Sequence, residues 1–147
     1  MAREQLAQIK QTAVTESGAD EAAIFEAHLM MLDDPELHAS VQSAIIQEGI
    51  NAEVALNETA EKIAAMLEAL GDEYLSARAV DVRDVSTRVL RLLLGIEESP
   101  AAALKAPAII VAHDLTPSDT IALDKALVLG FCTAAGGATS HTAILAR

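Results

Sequence analysis

AIIVAHDLTPSDTIALDKALVLGFCTAAGG, residues 108–137, is where the pattern of this chain changes. AIIVA at 108–112 is a short, β-branched apolar run that reads as a buried strand, entered from a loop bracketed by Pro100 and Pro107. LTPSDT then turns into a short helix over 117–124, and ALVLGFCTA at 126–134 reads as a second buried strand. Strand, helix, strand, glycine turn and helix form an α/β unit whose functional loops lie at the carboxyl ends of the strands. Two strands with one short helix cannot cover both faces of a sheet. The sequence therefore reads as a fragment, or as lacking segments at both ends.

Everything before this stretch carries the period of helices. Residues 1–15 place Leu6, Ile9 and Ala13 on one stripe, without a cap. Ser17 or Asp20 is expected to cap a helix in which Ile24, Phe25, His28, Met31 and Leu32 recur at three- and four-residue spacing. In DDPEL, Asp34 serves as N-cap, Pro35 takes the first helical position and Glu36 lies in the first turn, with Gly49 as the stop. Asn51 starts the next helix, which stops at Gly71, and a longer one runs from there to Gly95. The predicted fold class is mostly α: an antiparallel helical bundle over residues 1–98 followed by an incomplete α/β subdomain over 99–147.

Composition agrees with closely packed helices, since the chain holds thirty alanines against two Phe, one Tyr and no Trp. A formal charge of −12 argues against nucleic acid as a partner and favours a basic protein. Cys132 is alone, and neither a signal peptide nor an apolar run of membrane-spanning length is present. A cytoplasmic protein is expected.

The chemistry is concentrated in GGATSHTAILAR, residues 136–147. Gly136 and Gly137 allow a tight turn and close approach to a ligand, while Thr139 and Ser140 are helix-starting residues. His141 then sits at a helix N-terminus, where unpaired N–H groups and the dipole attract an anion. Thr116, Ser118 and Thr120 form a second hydroxyl loop after the preceding strand, and the two together make a phosphate cradle. A neutral imidazole is available near pH 7 as a nucleophile, which points to histidine phosphorylation. A serine hydrolase does not fit, because adjacent Ser140 and His141 would not face each other and there is no GxSxG elbow. A metal site does not fit either, since His28, His38, His113 and His141 are scattered.

GGATSHTAILAR resembles the phosphohistidine signature of the enzyme I family, the phosphoenolpyruvate-protein phosphotransferases that begin the bacterial sugar phosphotransferase system. AIFEAHLMMLDDPEL (23–37), DEYLSARAVDVRDV (72–85) and HDLTPSDTIALDKALVLGF (113–131) resemble successive segments of the amino-terminal domain of that family. The resemblance implies a helical subdomain that docks the phosphocarrier HPr and an α/β subdomain in which His141 is the phosphorylated residue. It also implies that Thr120 orients the imidazole ring. Positions matching the family's docking surface are Asp20, Ala23, His28, Met30, Met31, Asp34, Glu36, Leu37, Leu75 and Arg78. Phosphoenolpyruvate and Mg²⁺ would be bound by a carboxy-terminal domain that this sequence lacks, so the chain by itself is expected to carry no cofactor.

Plainer readings stand beside these roles. Met30, Met31 and Leu37 are also what a helical core requires, but adjacent methionines cannot both face one core, so at least one is left for an adaptable contact surface. Arg78 could pair with Asp81 or with an acid on a neighbouring helix. The alternatives to enzyme I are a relay domain like that of the dihydroxyacetone kinase phosphotransfer subunit and a non-catalytic HPr-docking module. A pyruvate phosphate dikinase fragment would share the histidine chemistry without the docking bundle.

Overall fold

The computed structural model describes residues 1–16, 19–96 and 104–135, and the chain divides into two compact units, Met1–Glu97 and Glu98–Arg147. The first unit consists of α1 (Ala2–Glu16), α2 (Ala19–Leu32), α3 (Pro35–Ser43), α4 (Ala52–Ala69) and α5 (Glu73–Leu93). The second holds β1 (Ala108–Ala112), α6 (Pro117–Ala122) and β2 (Val128–Thr133).

Local chemistry sets most helix ends. The Asp34 carboxylate accepts the N–H groups of Glu36 at 2.7 Å and Leu37 at 3.4 Å, with Pro35 needing no partner for its missing donor. Asn51 caps Val54 at 2.8 Å and Asp72 caps Leu75 at 2.9 Å. After α3 the backbone winds one wider π-helical turn, Ala44–Glu48, before Gly49 enters the left-handed region at φ 68°. Two expectations about helix bounds shift. Asp20 lies inside α2, which already includes Ala19, and so is not its cap; Ser17 lies outside the described residues. The α6 helix also ends at Ala122, short of residue 124, because Leu123 turns to an extended conformation at ψ 130°.

The apolar stripes bury against one another. Leu6 and Ala13 of α1, Phe25 of α2, Ala55, Ala60 and Ala64 of α4, and Ala79 and Val85 of α5 form the core of the first unit. The small alanines let α4 and α5 approach closely. Ion pairs fix the helix hairpins from outside: Arg3 of α1 with Asp33 just past α2, Lys10 with Glu26 across α1 and α2, and Arg83 with Glu61 and Glu68 across α4 and α5. These pairs sum to a constant residue number within the first hairpin, which is the signature of antiparallel neighbours.

Glu68 illustrates how pH reaches this surface. The hydrogen bond from Arg83 holds its carboxyl below the ordinary value of 4.5 despite some opposing desolvation, and the same bond raises the guanidinium. A depressed carboxyl contributes stability above its unfolded-state value and loses it as pH falls through the folded one. A Glu68→Gln variant is therefore expected to show a shallower loss of Tm than the parent below about pH 4.5. The effect should be small, because the pair is exposed and screened. Identical acid limbs in thermal scans from pH 6 to about pH 3 would refute the linkage.

β1 and β2 pair in parallel, Ala108 opposite Val128 and Ala112 opposite Thr133, with an irregularity between Ala108 and Ile109. They are not the buried strands that their apolar runs predict. Ile109, Val111 and Leu129 are 66%, 80% and 70% exposed. Alternation in a strand sends successive side chains to opposite faces. Among the described residues this sheet has two strands and one short helix, enough to shelter one set only. No described helix is long and apolar enough to cross a membrane.

Candidate functional site

The expected docking residues fall on α2, the start of α3 and the first half of α5. Ala23 and Met30, seven positions apart on α2, are both exposed, Met30 by 66%. Met31 turns the other way and, with Leu37, Ile63, Val82 and Val85, lines a small cleft of about 70 Å³. The adjacent methionines thus divide between surface and interior. Glu36 is exposed, and the exposed Asp34 has one oxygen committed to its cap. Leu75 is half-buried. Asp20 sits in α2 with its side chain outside the described set.

His28 departs from the surface role implied for it, because its side chain is 0% exposed. The Nε2 of its ring lies 3.2 Å from Asp81 Oδ1, and its ring meets Phe25 edge-on at a centroid distance of 5.5 Å. Its helical spacing with Phe25 and Leu32 already places it on the inward stripe. Asp81, equally buried, faces Arg78 with its other oxygen: Arg78 Nη1 stands 2.9 Å from Asp81 Oδ2. The guanidinium also lies over the exposed Tyr74 ring, 5.0 Å from its centroid. Sequence reasoning passed over Tyr74, although its spacing of four from Arg78 on one helix was a readable signal.

In the second unit the polar groups collect at the carboxyl ends of the strands. The N–H of Ala134 donates to His113 O at 3.0 Å, and that of Ala135 to the same oxygen at 2.8 Å, so β2 ends beside the loop that follows β1. Thr116 caps α6 in a reciprocal box, its Oγ1 accepting from the Asp119 N–H at 3.1 Å while Asp119 accepts from the Thr116 N–H at 3.2 Å. That hydroxyl is used structurally. Thr120 donates its hydroxyl hydrogen to Pro117 O at 2.9 Å, with Thr116 O also near at 3.2 Å. Its lone pairs are left as acceptors. Gly136, Gly137, Thr139, Ser140 and His141 lie outside the described residues. Among the described residues no three His, Cys, Asp or Glu side chains gather as a metal site.

Residues 1–78 match the family model for the PEP-utilising enzyme, N-terminal, and residues 104–147 that for the PEP-utilising enzyme, mobile domain; the chain belongs to the PEP-utilising enzyme family. Within it, the chain is 49% identical to the phosphoenolpyruvate-protein phosphotransferase of Bacillus sp. (strain S) and 50% identical to that of Geobacillus stearothermophilus, over 146 residues in each case. It is 48% identical over 145 residues to the protein of the same name from Bacillus subtilis (strain 168). These matches cover 99% of this chain and 25% of each relative, so the chain spans about a quarter of their length. The solution structure of an Enzyme I protein matches with a TM-score of 0.78 at 46% identity, and the N-terminal domain of a nitrogen Enzyme 1 with 0.68 at 28%. Each covers 99% of this chain and 59% of the other. The fold is similar to that of an enzyme I amino-terminal domain.

Proposed function

We propose that this chain is the HPr-docking and phosphohistidine part of a phosphoenolpyruvate-protein phosphotransferase acting in the cytoplasm. The observation that supports it most is the likeness to enzyme I over nearly the whole chain; in the sequence, Gly136, Gly137 and His141 come after β2, which ends at Thr133. HPr docks on residues 1–98 against Ala23, Met30 and the acidic start of α3. His141 lies in residues 99–147 and relays the phosphoryl group.

In the forward direction a ring nitrogen of His141 bonds to the phosphorus of phosphoenolpyruvate as the bond from phosphorus to the enol oxygen breaks, releasing enolpyruvate. The P–N bond then breaks as the active histidine of HPr takes the phosphoryl group. Gly136, Gly137, Thr139 and Ser140 supply N–H and hydroxyl donors to the phosphate oxygens. Thr120 has given its only hydrogen to its own helix. It therefore holds the ring by accepting an imidazole N–H, which leaves the other nitrogen's lone pair free to attack. Phosphoenolpyruvate binding belongs to a further domain of the whole enzyme.

The test runs the last step backwards. This chain is incubated with phosphorylated HPr, and intact mass and peptide mapping locate any acid-labile phosphate. Phosphate on His141 is expected. HPr binding without phosphate on His141 would favour the docking-module reading and sink the relay.

A further inference from the structure

Three buried polar atoms in the first unit lack a hydrogen-bonding partner along a single line of contacts: His28 Nδ1, Asp81 Oδ2 and Arg78 Nε. The line begins inside, where Phe25 abuts His28, passes through the fully buried Asp81 carboxylate, and ends at Arg78, whose side chain is 24% exposed. Asp81 Oδ2 is close to Arg78 Nη1 as a charge pair but is not aligned as a hydrogen bond. Burying a carboxylate is unfavourable unless it is compensated, and an apolar side chain here would fill the α2–α5 seam at less cost. The carboxylate's use lies in what it holds.

We propose that Asp81, supported from behind by His28, is a positioning residue that fixes the Arg78 guanidinium at the docking face and cancels its charge there. The inference rests on the docking reading above. Two features of the molecule support it. Arg78 is clamped on two sides, by Asp81 beneath and the Tyr74 ring alongside, so little freedom is left for its remaining donors. In addition, a chain of net charge −12 attracts a basic partner, against which an uncompensated arginine would be a like charge. Paired with Asp81, Arg78 offers directed N–H groups with its positive charge offset. Such a group suits neutral acceptors, the free carbonyls at the end of a partner helix, rather than a carboxylate.

The experiment measures HPr binding by calorimetry for the parent chain, Asp81→Asn, Arg78→Gln and the double variant, each at low and moderate salt. The first single variant should bind about tenfold more weakly. Its deficit should shrink as salt rises, because repulsion between the freed Arg78 and a basic partner is screened. In the Arg78→Gln background Asp81→Asn should have no further effect on binding, whereas a merely structural role would give losses that add and follow Tm. Equal binding by parent and Asp81→Asn, or additive losses, overturns the inference alone. Absence of HPr binding by the parent overturns the docking reading and the inference with it. A measurement on the parent covers the case in which Asp81→Asn fails to fold: nitrogen NMR of Arg78 should show slowed rotation of its guanidinium. Rotation as fast as that of a free arginine overturns the clamp.

Discussion

Replacing His141 by alanine is expected to remove acid-labile phosphate from this chain after incubation with phosphorylated HPr, a drop of at least ~10³-fold, while leaving HPr affinity within about twofold. Both halves follow from the separation of roles. Phosphoryl transfer to a histidine needs a nitrogen lone pair in line with phosphorus, and no neighbouring side chain replaces it: Thr139 and Ser140 bear hydroxyls that are weak nucleophiles without an adjacent base. In the proposed reading, docking instead draws on the helices of the first unit, where Met30 is exposed and Arg78 pairs with Asp81. Phosphate persisting on the alanine variant, or mapping to a residue other than position 141, would show that the motif has been misread. Loss of HPr binding in the same variant would show that the two roles are not separable.

How much of this was legible in the sequence depends on how local each cause is. The caps at Asp34 and Asn51 were readable because a carboxylate or amide bonds to N–H groups two or three residues away, and nothing distant intervenes. Parallel pairing of the two apolar runs around a short helix was readable for a similar reason, since the connection is too long for a hairpin and follows a strand–helix–strand order. The exposure of Ile109, Val111 and Leu129 was not, because an apolar run specifies what a strand tolerates rather than what covers it. His28 is the sharpest case. Its spacing pointed inward and its match to a docking position pointed outward. What decides between them is a partner 53 residues away, Asp81, whose proximity no local rule supplies. By contrast Arg78 and Asp81, three apart on one helix, were a pair that spacing alone allowed.

That buried pair leads to the second large effect, on stability. Asp81→Ala is expected to destabilise the first unit by about 3–5 kcal/mol, visible as a Tm lowered by upwards of ~10 °C. The cost has two sources. Truncation leaves the fully buried His28 ring without the acceptor 3.2 Å from its Nε2, and it opens a void where the buried carboxylate stood between α2 and α5. Arg78 contributes less, because at 24% exposure its guanidinium can swing into water. The comparison that separates the causes is Asp81→Leu combined with His28→Leu. Removing both polar groups while keeping volume should recover most of the lost stability, since an apolar pair leaves nothing buried unsatisfied. If the double variant is no more stable than Asp81→Ala, packing rather than polar compensation governs the seam. If Asp81→Ala itself costs under about 1 kcal/mol in urea titration, water must already reach the carboxylate, and the site is not the dry one its burial describes. A recovered double variant that still binds HPr poorly would then separate the two uses of Asp81: stability returned by filling the seam, and recognition lost with the clamp on Arg78.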